Sequence, residues 1–278
     1  MFGIAASNRL VGVVIALVLA YASAELRAEA LAVRYTEGLV HGFLTLRTLD
    51  GRTIADGDLT QVAHGARVAS RLAFRFRDGS LHDETVVFTQ RKEFRLVSYR
   101  LTQRGPSFPQ PLDMTMDAAT GQVTVHYRDD DGKEKTESER MELPPDVANG
   151  FIQTVIKNVP PGTPVTMSYV AATPKPRLVK LEASPAETTD RFAIGRSGRK
   201  AVHYVIKVDI GGVAGLIAPL VGKKPPDSHV WISSGDTPAF VKGEQAFYTG
   251  GPVWRIEMAS PAWPAAPAAA TTQKKRKD

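Results

Sequence analysis

The chain has 278 residues, a formal net charge of +6 and no cysteine. The last point excludes disulfides, a thiol nucleophile and a lipidated amino-terminal cysteine, so stability has to come from the apolar core alone. Lys274, Lys275, Arg276 and Lys277 against Asp278 hold +3 of the charge and residues 1–30 hold none, which leaves +3 for everything between and no argument for nucleic acid.

Residues 1–24 read as a cleavable signal peptide. Arg9 precedes a charge-free apolar run from Leu10 to Ala24, and its heart, Val11 to Ala20, is about half the length a helix needs to span a hydrocarbon core. Ala22-Ser-Ala24 and Ala28-Leu-Ala30 are both small-x-small cleavage sites, and the first is preferred. A single arginine favours the general secretion route over the twin-arginine one. The expected location is the periplasm, with no retained transmembrane helix.

Residues 31–260 are expected to form a single antiparallel β domain. From Val33 to Met141 the sequence repeats one pattern, an alternating polar and apolar run followed by a turn signal. In the clearest run, Arg67 to Arg77, Val68, Leu72, Phe74 and Phe76 share one parity and Arg67, Arg71, Arg75 and Arg77 the other. Asp50-Gly51, Asp78-Gly79 and Asp131-Gly132 supply hairpin turns. Gly38, Gly42 and Gly65 fall inside strand-like runs, which a strongly curved sheet with bulges would require.

After Pro144-Pro145 the period changes. Val147, Phe151, Ile152, Val155 and Ile156 recur at helical spacing behind Asp146, a good N-cap, and predict a helix ending near Asn158. Strands are expected again over 164–172, 177–183 and 201–209, and later over 229–233, 239–248 and 252–258, closing on Trp231 and Trp254. Between them, Gly211 to Gly222 is apolar and glycine-rich. It reads either as plain core or as a mobile lid over an apolar cavity, with Val213, Leu216, Ile217 and Leu220 facing the ligand. Residues 261–278 are expected to be a disordered basic tail. The fold class is mainly β: one large curved antiparallel sheet, a half-barrel or β-clam, with one or two short helices.

Catalytic and metal signatures are absent from the sequence. Gly195-Arg-Ser-Gly198 lacks the spacing of a nucleophile elbow. The six histidines, His41, His64, His82, His126, His203 and His229, lack metal-ligand spacing, and a lone strand histidine is ordinarily structural. Asp129-Asp130-Asp131-Gly132 imitates a calcium loop, but Tyr127 and Ser138 stand at its first and twelfth positions, so a solvated hairpin tip is expected. Gly211-Gly212-Val-Ala-Gly215 lacks the pattern of a phosphate cradle. No catalytic residue, metal or cofactor is assigned. The arginine face of 67–77 reads as solvated strand surface or as the rim of a concave sheet that attracts anionic headgroups.

The closing segments Lys223-Lys-Pro-Pro-Asp-Ser-His-Val-Trp-Ile-Ser233 and Gly250-Gly-Pro-Val-Trp-Arg-Ile-Glu257, with the signal peptide and the long meander, resemble uncharacterised secreted bacterial proteins of a domain-of-unknown-function family. The strand and helix plan is more distantly similar to the half-barrel carriers LolA and LolB. That second likeness implies a curved sheet around an apolar cavity and lends no residue a role, and the missing cysteine departs from LolB. The function expected is non-enzymatic: a monomeric periplasmic protein binding a lipid or other apolar ligand in a concave half-barrel. One alternative is a structural envelope protein with a protein partner, held through sheet edges or the basic tail. Another is an envelope glycan or lipid hydrolase using Asp83 and Glu84 near His82, although neighbouring strand residues point to opposite faces and cannot flank one bond.

Overall fold

The computed structural model describes residues 31–129, 131–194, 196–209 and 225–260. The expected signal peptide, the apolar segment 211–222 with Val213, Leu216, Ile217 and Leu220, and the tail 261–278 lie outside the described residues.

Two meanders make one sheet. The first comprises β1 (Val40–Thr48), β2 (Thr53–His64), β3 (Arg67–Phe76), β4 (Leu81–Gln90), β5 (Phe94–Arg104), β6 (Leu112–Asp117), β7 (Gln122–Arg128) and β8 (Glu134–Arg140). The second comprises β9 (Val165–Ala171), β10 (Arg177–Ile194), β11 (Ser197–Asp209), β12 (Ser228–Ser233), β13 (Phe240–Ala246) and β14 (Val253–Met258). They join where β1 pairs antiparallel with β14, Leu44 opposite Met258 and Leu46 opposite Ile256. The product is a mainly-β protein built on a 14-stranded antiparallel sheet whose edges are β8 and β9. The hairpins at Gly51, Gly79 and Gly132 form as their sequence predicts, each glycine at positive φ. Gly65 is not inside a strand: it sits at positive φ in the β2–β3 turn. The glycine that matters within the sheet is Gly57, where a Cβ would lie 2.4 Å from the Phe74 ring, so its bare backbone is what lets that ring lie against β2.

Alternation gives the sheet one apolar face. On β3, Val68, Phe74 and Phe76 are buried while Arg67, Arg71 and Arg75 are exposed. Arg71 makes a bidentate pair with Asp83 (2.8 and 2.5 Å), and Arg75 reaches Asp58 at 3.2 Å. The arginines are therefore outer-face residues and not the rim of the concave side, because the pleat sends them away from the core. Among the described residues no second sheet covers the apolar face, and the sheet curls upon itself so that its two meanders share one core. Phe88, Met114 and Val123 from the first meander share one core with Met167, Leu181, Ile206 and Val230 from the second. A smaller core of Leu44, Leu46, Phe74, Phe76, Trp254 and Ile256 lies beneath the join.

The two edges are protected differently. All seven residues of β8 are exposed, and five of them are charged, which discourages further strand pairing. The free edge of β9 is covered by the chain itself. Ser168 donates its N–H to the Asp146 carbonyl (3.1 Å) and accepts the Ala148 N–H (2.9 Å), and the Asn149 amide satisfies both backbone groups of Val170. This corrects the predicted helix start. Val147 forms a parallel bridge to Ser168 of β9 between turns at 145–146 and 149–150, Asp146 is buried and does not cap the helix, and α1 runs only from Ile152 to Asn158 with Phe151 at its N-cap.

Helix α1 plugs one end of the curled sheet. Phe151 stacks on Phe88 at 4.8 Å, and Val155 and Ile156 are buried. Residues 31–37 close over the same end: Asn158 Oδ1 accepts the N–H groups of Arg34 (2.7 Å) and Tyr35 (2.6 Å), and Lys157 meets the buried Glu37 carboxylate at 2.5 Å. Glu37 is further held by the side chains of Gln61 and Gln90.

Two substitutions test this packing. Phe88→Ala removes the surface on which Phe151 rests and is expected to cost about 3–5 kcal/mol. Gly150 has φ +78°, and a Cβ there would fall 2.7 Å from Val86 Cβ, so Gly150→Ala should cost upwards of about 2 kcal/mol. Denaturant unfolding followed by circular dichroism measures both, and near-native midpoints would contradict the described plug.

Candidate functional site

Away from the plug, the side chains of the described residues leave part of the concave interior unfilled. A cavity of about 560 Å³ lies between the β4–β5 wall and the β9–β12 wall, within the range of sites that take small molecules. Its lining is largely apolar, with Leu101, Ile152, Leu181, Ile206, Val208 and Val230 among the contributors. A cleft of about 360 Å³ runs along the seam between the sheet edges, with Glu137 and Glu139 of β8 facing Lys175, Pro176 and Arg177 of the β9–β10 turn. Glu139, Pro176 and Arg177 also line the cavity, so the seam leads into it. Val208 and Pro225, which bracket the undescribed 210–224, line it as well.

The polar groups of this interior come from strand parity. On β4, His82 and Glu84 face inward, while Asp83 faces out to Arg71. The two neighbouring carboxylates thus lie on opposite faces and do not flank a common point. On the next strand Tyr99, opposite Val86 and so diagonal to Glu84, donates its hydroxyl to Glu84 Oε1 at 2.8 Å. Tyr169, brought from β9 by the curl, and Asn149 of the edge-covering segment also act on Tyr99. Burial pushes the Glu84 carboxyl above its ordinary value, and the Tyr99 hydrogen bond opposes this in part. Burial, reinforced by the charge of Glu84, raises both tyrosines, so both remain neutral hydroxyls.

His82 is neutral for a different reason. Burial pushes it down to about 3, against the weaker pull of Asp83. Gln103 Nε2 donates to the Phe247 carbonyl (2.7 Å) and lies 3.1 Å from His82 Nδ1. With both amide hydrogens committed, Nδ1 is an acceptor and the imidazole proton sits on Nε2.

The sequence treated all six histidines as isolated, but β11–β12 pairing sets His203 Nε2 2.9 Å from His229 Nδ1. His203 stacks on Trp231 at 4.2 Å, and Lys242 stands 3.7 Å from that ring on its own side of the register. This is an outer-face stack. Among the described residues no three His, Asp or Glu side chains are grouped to hold a metal ion, and no helix is long and apolar enough to cross a membrane.

Sequence reading located His82, Asp83 and Glu84 but missed Tyr99 and Tyr169. The signal was present as two polar residues on the inward parity of β4, although their partners needed the strand register. Val213, Leu216, Ile217 and Leu220, the predicted lid residues, lie outside the described residues.

No protein-family model and no curated protein sequence matches the chain. Among solved structures, the chain is similar to a β-barrel-like protein of the domain of unknown function DUF1849 from Brucella abortus. The TM-score is 0.46 at 9% identity, over 81% of this chain and 98% of that one. The likeness lends no residue or role to this chain, and it says nothing of the LolA and LolB carriers.

Two buried groups of opposite sense make a pH test. Glu84 keeps its proton in the folded state above the ordinary glutamate value of 4.5, so stability falls as pH rises from there through its raised folded value. His82 refuses a proton that the unfolded chain takes up below 6.5, so stability is lost as pH falls from 6.5 toward 3, by roughly 5 kcal/mol in all. Thermal unfolding across this range should show Glu84→Gln gaining on the native chain as pH rises, and His82→Asn flattening the acid limb. Parallel profiles for native and variant chains would refute the burial of both groups.

Proposed function

We propose that the protein is a non-enzymatic periplasmic binding module that holds one apolar ligand, a lipid or acyl chain, in the concave interior of its curled sheet. The carrying observation is the cavity of about 560 Å³ that the helical plug leaves unfilled, walled by aliphatic side chains with a few convergent polar groups. The seam between β8 and the β9–β10 turn offers a polar approach to it. The opposite orientations of Asp83 and Glu84 favour binding over glycan or lipid hydrolysis. The charged free edge of β8 favours it over partner recruitment by strand addition.

The chain, expressed with its own amino-terminal segment, purified without detergent and extracted for lipid mass spectrometry, should yield about one apolar molecule per protein. Ala171→Trp, which fills the cavity from β9, should abolish that retention while preserving the sheet's circular dichroism. A folded, monomeric protein that elutes empty and takes up no added lipid would sink the proposal.

A further inference from the structure

We propose that Glu84, with Tyr99 and Tyr169, forms the headgroup site of this cavity and selects an amphiphile carrying a protonated amine. The inference rests on the cavity being a ligand site and adds the chemistry of what it takes.

The protein handles its inward carboxylates in two ways. The Glu37 carboxylate at the plugged end is matched by Lys157 at 2.5 Å and by the Gln61 amide, which donates to it at 2.9 Å. Glu84 at the open end receives a hydrogen bond from Tyr99 at 2.8 Å, and among the described residues its ionisation is shaped by burial and that hydroxyl, with no cation paired to it. A carboxylate has about four acceptor positions, and burying one without a counter-charge costs more than an apolar residue of the same size would. An ammonium arriving with the ligand supplies that counter-charge, and the tyrosine hydroxyls occupy the remaining acceptor sites that a buried ion pair needs filled.

The surroundings discriminate between headgroups. The titratable groups facing Glu84 are Tyr99 on β5, Tyr169 on β9 and His82 on its own strand, with Glu139 and Arg177 toward the seam. Of these, His82 is neutral and Arg177 belongs to the seam, where Glu137 and Glu139 stand opposite. An anionic head placed beside Glu84 meets like charge. An alcohol donates one hydrogen bond to the carboxylate, whereas an ammonium donates up to three and adds the attraction of opposite charges. The alkyl chain then lies along Leu181, Ile206 and Val208.

Isothermal titration of the full chain with decylamine, decanol and decanoate, each below its aggregation concentration at about pH 8, tests the assignment. Decylamine should bind at least about tenfold tighter than decanol, with decanoate weakest. Glu84→Gln should bring amine and alcohol within about twofold of each other while leaving the alcohol's affinity intact. If that variant fails to fold, the native chain still answers. As the pH is lowered from about 8, Glu84 takes up its proton while the amine stays charged, and the amine preference should shrink. Equal affinities for all three, or an amine preference that survives in Glu84→Gln, overturns the headgroup assignment and leaves the cavity standing. No binding of any of the three chains overturns both readings.

Discussion

A sheet that is apolar on one face has to bury that face, and among the described residues only a seven-residue helix is set against fourteen strands. Most of the architecture follows from that shortage. The sheet covers itself by curling, so residues from β4–β7 and β9–β12 share one core. Close packing demands that the curled interior be filled, and the short helix with residues 31–37 fills only one end. The cavity is the part of the interior that this plug does not reach.

The interior's polar chemistry divides along the same line. Where the plug sits, its central polar groups are matched within the chain: Asn158 takes two backbone N–H groups, and Lys157 neutralises Glu37. A fully satisfied network of this kind rigidifies what it joins. At the open end, His82 is kept neutral by burial, and Gln103 fixes its tautomer. Among the described residues, Glu84 there has hydroxyl neighbours and no paired cation. One end is closed by the chain's own ion pair, and the other holds its carboxyl with neutral partners.

Legibility in the sequence followed the distance over which each feature is decided. The strands of 33–141 were readable because alternation and Asp-Gly turns act within a dozen residues, and Arg67 to Arg77 gave both its faces correctly. The helix start failed because Val147 is buried for a reason that has nothing to do with helical period. It lies on a segment whose backbone is claimed by Ser168 of β9. The expected strand 177–183 continues as β10 to Ile194, because past an irregularity between Pro185 and Thr189 it still pairs with β11. The outward, polar residues of that extension carry no hydrophobic signal. Tyr99 and Tyr169 meet only because the curl brings β5 and β9 together, and no local pattern encodes that.

The join between β1 and β14 carries a further consequence, for the order in which the molecule can assemble. Each meander pairs strands in chain order, through connections far shorter than the separation of about 200 residues between Leu44 and Met258. Closing so long a loop is entropically expensive and is made late. In a chain delivered amino end first, β1 would keep one edge bare until its last strand arrived. Over that interval the exposed Leu39, Val40 and Phe43 would flank an unpaired ladder. The protein's vulnerability to misassembly is thus set less by its stability than by how long its first strand must wait for its last.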